Sequence, residues 1–355
     1  MVNMELTLTI LLFLIGIVLI VKGGDFFVDA ATWIAEFSGI PKVIIGATVV
    51  SLATTLPEMI VSVIAAVGGK VDMAVGNAVG SVTANIGLIM AISLIFMPCV
   101  IDRKDYVPKS VLMFCSSLVI VASGRNGYIG MFLSSILIIL FVLFLIENIR
   151  STQNSINKAG SGIHSANSSS YSNKKSAAIH AAEYASAGSS TAIAAPLHKT
   201  GTEKSVVITN IIKFIAGAIG IVVGANLLVN NGSELARYIG ISERIIGVTL
   251  VAVGTSLPEL VTTITAIAKK QSSLSIGNIL GANIIDLTLI LPVSMVCAGK
   301  PLPIAASSAT LDFPACLLVG SIAVIPMMIS SKFKRWQGFA LLAVYVVYLV
   351  LTCTA

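Results

Sequence analysis

Three carboxylates in this sequence sit where carboxylates are costly. Glu58, Glu259 and Asp286 each lie inside a long apolar run, and no Lys, Arg or His lies at comparable depth. A carboxylate at the centre of a bilayer costs about 2.5–3.5 kcal/mol on the insertion scale, so three cost on the order of 8–10 kcal/mol. A bound cation is the simplest missing partner. The bland alternative, a protonated carboxyl bonding two helices, suits one isolated Glu better than two at matching positions. Pro57 and Pro258 immediately precede the two glutamates. Proline has no backbone N–H, so the carbonyls of Ala53 and Gly254 lose their helical donors, and a broken helix is tolerated at membrane depth where it lines a site. Thr54, Thr55, Thr255 and Ser256 add hydroxyls one turn before the carboxylates. The set is oxygen-only. Calcium takes about 6–8 oxygens at roughly 2.3–2.6 Å, and two facing half-sites would supply them. The absence of sulfur and imidazole disfavours zinc and copper.

A second element accompanies each glutamate: GNAVGSVTAN at 76–85 and GNILGANIID at 277–286. Glycines four residues apart (Gly76 and Gly80, Gly277 and Gly281) permit close helix packing. Asn77, Ser81, Asn85, Asn278, Asn283 and Asp286 are too polar for an apolar packing face alone. Ser81 and Asn85, one turn apart, share a face, as do positions 282 and 286. Asn85 and Asp286 would extend the oxygen cluster.

The elements that must position these residues are membrane spans. Of 355 residues 56% are hydrophobic and 11% charged, against about 25% charged in a soluble domain, which excludes a soluble enzyme. Residues 73–101, 126–146, 313–331 and 336–355 carry no charge. Such runs suit helices of about 20 residues, not barrel strands of roughly 10. The pattern predicts ten spans, near 4–22, 43–68, 73–97, 108–124, 127–148, 206–230, 244–268, 274–298, 309–330 and 335–354. Asp25 and Asp29 read as a solvated end of the first span, and Asp312 as the start of the ninth. Residues 151–204 are rich in Ser, Ala and Asn and read as a flexible linker with a short amphipathic helix near 176–187. The five cysteines form no CxxC pair and read as small buried hydrophobes. All three histidines fall in the linker.

The net charge of +6 is concentrated in short loops, which argues for an orientation signal and against nucleic acid. The Lys and Arg asymmetry places both termini outside a cell membrane and the linker in the cytoplasm. The chain also repeats itself. GATVVSLATTLPE (46–58) aligns with GVTLVAVGTSLPE (247–259) at an offset of 201, and Gly39 with Gly240, Gly76-Asn77 with Gly277-Asn278, and Asn85 with Asp286 keep it. Five spans per half force the halves into opposite orientations. The expected fold is an all-α membrane protein of two inverted five-helix repeats, 1–150 and 205–355, joined by the 151–204 linker. Inverted repeats of this kind place an ion site at the repeat interface near mid-membrane.

The doubled TTLPE (54–58) and GTSLPE (254–259) motifs, each followed by a GN-x-x-G element, resemble the two α-repeats of the calcium/cation antiporter superfamily, most closely its prokaryotic sodium/calcium exchangers. The resemblance covers the whole chain outside the linker. It implies antiport of sodium against calcium by alternating access, with no cofactor and no enzymatic activity. It implies that Glu58 and Glu259 share calcium, helped by backbone oxygens of Thr54 and Thr255. One flanking sodium site would use Glu259, Thr255, Ser256, Ser81 and the carbonyl of Ala252. Its mirror would use Glu58, Thr54, Thr55 and the carbonyl of Ser51, and a central position would use Asn85 and Asp286. The first and sixth spans would slide against a rigid core. This chain departs from the pattern at Ala282, which lacks the hydroxyl of its mate Ser81, and at Thr55, Ala53 and Ser51.

A proton/calcium exchanger, or one for another divalent ion, is the alternative; the hydroxyl-rich flanks fit sodium better. Asn85 argues against potassium cotransport, because potassium-dependent relatives carry Asp at both central positions. An intramembrane protease needs two aspartates or a Ser–His pair, and the spans hold one deep Asp and no His. A channel would gather its charges by oligomeric symmetry, whereas a repeat within one chain builds a site in a monomer.

Overall fold

The computed structural model describes residues 2–97, 103–166, 204–240, 254, 256–330 and 332–354. Within these the chain forms ten helices: α1 Val2–Ser38, α2 Lys42–Val67, α3 Val71–Phe96, α4 Arg103–Asn126, α5 Met131–Ala166, α6 Lys204–Tyr238, α7 Leu257–Ala268, α8 Ser272–Ala298, α9 Ser308–Ile329 and α10 Arg335–Thr354. All but α7 are long and apolar enough to cross a bilayer. The rest of the expected seventh span, residues 244–253 and 255, lies outside the described residues, as does the possible helix at 176–187.

The two inverted repeats interpenetrate. α3 and α8, which carry the GN elements, are the most buried spans. α8 packs along α2 of the other repeat, and α7 packs against both α8 and α3. A two-residue ribbon, Tyr128–Ile129 antiparallel to Leu302–Pro303, ties the α4–α5 and α8–α9 turns together.

Glycine sets two of these contacts. A Cβ on Gly277 would strike the carbonyl oxygen of Val43, one on Gly281 that of Ala47, and one on Gly46 that of Leu274. The α2 and α8 backbones therefore touch, which is the close approach that small residues permit in membranes. Gly76 and Gly80, the mates of Gly277 and Gly281, meet nothing within 4 Å among the described residues. Their symmetry-related partners, residues 244 and 248, fall outside those residues. The second contact joins α1 to α6. There a Cβ on Gly23 would lie 2.8 Å from the Ile221 nitrogen, and one on Gly217 would lie 2.6 Å from that of Phe27.

The repeat offset also governs local geometry. Gly39 and Gly240 stop α1 and α6 with φ of +69° and +82°, the left-handed stop that glycine supplies without strain. The turn after α2 uses Gly69 at φ +78°, but its mate after α7 is Lys270 at φ +57°. A lysine there carries strain that the first repeat avoids. π-Helical turns begin at matched positions, Asn85–Met90 in α3 and Asp286–Ile290 in α8.

The structure corrects four expectations. α1 does not end near residue 22 but runs to Ser38, so Asp25 and Asp29 lie within a helix. They are not a solvated terminus: Lys269, just past α7, pairs with Asp25 at 3.2 Å and with Asp29 at 2.8 Å. α2 is not broken at Pro57, which sits inside the continuous helix Ser51–Val67; the irregularity is a π turn at Gly46–Val50, about two turns earlier. Finally, α5 continues as helix to Ala166, into the segment expected to be a linker.

The α2–α8 contact should tolerate no added atom. Gly277→Ala is expected to lower the unfolding free energy by about 1–3 kcal/mol, the cost of overpacking. Gly320→Ala meets nothing within 4 Å among the described residues and should be neutral or stabilising by up to about 1 kcal/mol through helix propensity. Thermal denaturation in detergent distinguishes them; equal melting temperatures would mean the backbones do not touch.

Candidate ion-binding site

The glutamates reach the molecular centre by different local routes. Glu58 lies in the helical part of α2, seven residues after Ser51, where the π turn ends. In the second repeat the chain is interrupted at Ser256 (φ −90°, ψ 9°), and Pro258 and Glu259 open α7. Proline suits a first turn, where its missing N–H costs nothing. Asn85 and Asp286 each sit at the first position of a π turn. Such turns widen the helix and recur at functional sites.

Glu58, Glu259, Asp286, Asn85, Ser51 and Thr55 are fully buried, and Thr54, Ser81 and Ser256 nearly so. Their hydrogen bonds cross between the repeats. Ser256 Oγ donates to Glu58 Oε1 at 3.1 Å, and Thr55 Oγ1 donates to Glu259 Oε1 at 3.4 Å. Thr55 and Ser256 are repeat mates, and so are Glu58 and Glu259. Each carboxylate is therefore held by a hydroxyl from the opposite repeat, and the two half-sites face each other.

Each glutamate keeps a second oxygen free. Glu58 Oε2, Glu259 Oε2, both oxygens of Asp286, both polar atoms of Asn85 and the Ser81 hydroxyl are buried without a hydrogen-bond partner of normal geometry among the described residues. Asp286 and Glu259 lie close enough to Glu58 for the charges to interact. The ion pairs of the described residues involve other groups, and the one buried lysine, Lys109, donates to the Asp105 carbonyl at 2.9 Å on α4. Negative charge at this centre thus has hydroxyl donors but no protein cation. A buried charge without a partner costs far more than a buried dipole, so the free oxygens are unmet acceptors.

The acids alone do not form a metal site. Among the described residues no three acidic, His or Cys side chains converge on one point. A cation here would draw on hydroxyl, amide and carbonyl oxygens as well, the donor set of calcium and sodium. Ala282, on the face shared with Asp286, is buried and offers no oxygen. Thr255 and Ala252, both expected ligands, lie outside the described residues.

The asparagines of the GN elements have roles that sequence reasoning left unassigned. Asn77 Nδ2 donates to the Glu58 carbonyl at 3.3 Å and to Ser62 Oγ at 2.9 Å, fixing α3 to the glutamate's backbone. Its mate Asn278 instead offers Oδ1 to Thr54 Oγ1 at 3.4 Å, while Thr54 also donates to the Ser51 carbonyl at 3.2 Å. The repeated GN dipeptide was the available signal. Asn283, buried with both polar atoms unpartnered among the described residues, has no polar counterpart in the first repeat, where Val82 stands.

Comparison with known proteins agrees with this arrangement. The family model for the sodium/calcium exchanger protein matches residues 8–149 and 209–354, both repeats and not the segment between them. The chain belongs to this sodium/calcium exchanger family. Among its relatives is the sodium/calcium exchanger MaX1 of Methanosarcina acetivorans, 29% identical over 97% of this chain and 98% of that protein. The inner membrane protein YrbG of Escherichia coli is 30% identical over 96% of this chain and 95% of its own. A solved structure of the sodium–calcium exchanger NCX_Mj, soaked with sodium and strontium, superposes with a TM-score of 0.74 at 26% identity, covering 97% of this chain and 99% of that one.

If the free oxygens await a cation, Glu58→Gln and Glu259→Gln should each weaken calcium binding by about 100-fold or more, since affinity follows ligand charge. Calcium should raise the melting temperature of the wild-type protein, as any ligand of the folded state does, and should leave both variants unmoved. The variants should melt higher than wild type without ions, because a buried unpaired charge has been removed. A calcium shift preserved in either variant would remove that glutamate from the site.

Proposed function

We infer that the protein is a secondary antiporter that exchanges sodium for calcium across the membrane at the Glu58–Glu259 centre. The crossed pair of hydroxyl–carboxylate bonds carries this reading. It joins one carboxylate from each inverted repeat in a buried site with free oxygens and no cationic side chain among the described residues. Sodium and calcium satisfy the same oxygens. One divalent ion neutralises both glutamates, and so do two monovalent ions. An empty site leaves unpaired charge in low dielectric, which disfavours transit without a passenger and so couples the two fluxes. The family match and the likeness to MaX1 and NCX_Mj support sodium over protons as the counter-ion.

Glu58 and Glu259 serve as shared calcium ligands, with the backbone oxygens of Thr54 and Thr255. Glu259, Thr255, Ser256, Ser81 and the Ala252 carbonyl make one sodium position. Glu58, Thr54, Thr55 and the Ser51 carbonyl make its mirror, and Asn85 and Asp286 make a central one. The burial and free oxygens of the described members support this set. Ala282 leaves the Glu58 side one hydroxyl short. The Lys and Arg asymmetry favours a plasma-membrane orientation with both termini outside and residues 151–204 in the cytoplasm. Both half-sites come from one chain, which suits a working monomer in the bilayer.

Exchange requires that the two mouths of the site open in turn, and a difference in cover between matched surfaces of the two repeats supports this. On α7, Val261 and Thr265 lie under α1, where a Cβ on Gly24 would approach them to 3.0 and 2.7 Å. Their repeat mates on α2, Ile60 and Ile64, are 54% and 66% exposed. The same surface is covered at one end of the molecule and open at the other.

Calcium uptake into proteoliposomes under an imposed sodium gradient tests the reading. Uptake should follow the sodium gradient and vanish when it collapses; uptake driven by a proton gradient alone would overturn sodium coupling. Ala282→Ser should restore the missing hydroxyl and raise apparent sodium affinity about two- to tenfold, the worth of one hydrogen-bonding group. An unchanged sodium dependence would mean that position 282 lines no sodium site.

A further inference from the structure

The Asp25–Lys269–Asp29 cluster lies outside the ion site, yet it spans the seam at which the molecule can shear. Lys269 Nζ pairs with Asp29 at 2.8 Å and Asp25 at 3.2 Å, and also donates to the Asp25 carbonyl at 3.1 Å. The aspartates belong to α1 and the lysine closes α7. α1 is locked to α6 by glycines from both helices, and neither carries a described ligand of the site. The ligand helices are locked to one another by the α2–α8 backbone contact. Two rigid bodies result, the α1–α6 pair and the core, and relative motion concentrates at the boundary between them.

Lys269 stands ten residues beyond Glu259, about 15 Å along a helix and hence near one face of a 30 Å apolar layer. It lies at the end where α1 covers α7. The other end is built from the mates of these residues, and all three are neutral. Asn226 and Asn230 replace Asp25 and Asp29, and Gly68 replaces Lys269. Asn226 spends its amide on its own helix, donating to the Val222 carbonyl at 3.0 Å. Among the described residues the Asp25–Lys269–Asp29 cluster therefore has no ionic counterpart at its mates' positions.

We propose that Lys269 is a positioning residue that latches the α1–α6 pair to the core at one mouth of the site, biasing the exchanger toward the state in which that mouth is shut. The proposal rests on the exchange reading above. The groups are partly exposed, with side-chain exposures of 26% for Lys269, 44% for Asp25 and 62% for Asp29. The bias is accordingly modest, about two- to tenfold in the equilibrium between the two states. The apparent dissociation constant at each face scales inversely with the population open to that face. The latch thus makes the protein asymmetric, with tighter apparent calcium binding at the face remote from Lys269 than at the near one.

The test is sodium-driven calcium flux in membrane vesicles of both orientations, with half-saturating calcium measured at each face. Lys269→Gln should lower half-saturation at the Lys269 face and raise it at the far face, changing their ratio about two- to tenfold. Asp25→Asn with Asp29→Asn, which copies the neutral second repeat, should do the same. Lys269→Arg and the exchange Lys269→Asp with Asp25→Lys should restore the wild-type ratio. Gly68→Lys with Asn226→Asp should install a clamp at the other end and shift the ratio the opposite way. A ratio unmoved by Lys269→Gln and by the double aspartate variant overturns the latch. So does a parallel change at both faces, which would mark damage to the site. Failure of the exchange reading is separately visible, because wild-type vesicles would then show no sodium-driven flux.

Discussion

Carboxyl groups taken out of water with no cationic side chain beside them among the described residues are the constraint on which the rest of this structure depends. Glu58, Glu259 and Asp286 are completely buried, and their free oxygens find no partner of normal geometry among the described residues. Left empty, such carboxyls can take up protons; held ionised, they need a cation that the described residues do not supply. The backbone contact of α2 on α8 fixes the distance between repeats. Asn77 pins the Glu58 backbone to α3, and the crossed hydroxyls of Thr55 and Ser256 aim one oxygen of each glutamate. What is left over is a set of buried oxygens without partners among the described residues.

The two repeats are alike where the ion must be held and unlike where the carrier must choose. Matched glutamates, matched hydroxyls and matched π turns build the centre. The departures are single residues. Ala282 stands opposite Ser81, Asn278 engages Thr54 where Asn77 engages Glu58, and the Asp25–Lys269–Asp29 cluster faces a neutral counterpart. A perfectly symmetric exchanger would treat its two faces equally. These substitutions are where the proposed sidedness resides.

Much of this was legible in the sequence, because membrane spans announce themselves by composition and a repeated motif announces a shared site. The uncharged runs located the spans, and the offset of 201 paired Glu58 with Glu259 and Asn85 with Asp286. What was not legible depends on contacts between distant residues. Asp25 and Asp29 looked like the end of a span because charge usually marks one; their partner is more than two hundred residues away. The π turns at Asn85 and Asp286 leave no trace in hydrophobic periodicity. Pro57 suggested a break, but it sits inside α2, about two turns after the π segment Gly46–Val50, whereas Pro258 lies in the first turn of α7. Identical Pro-Glu dipeptides therefore sit at different points of their described helices.

The central claim is that exchangeable cations are the missing partners of the buried carboxylates. Calorimetric titration of the purified protein with calcium, at a series of sodium concentrations, addresses it without any membrane. The account predicts calcium binding whose affinity falls steeply as sodium rises, with more than one sodium displaced per calcium. Calcium binding indifferent to sodium, or no calcium binding at all, would contradict it.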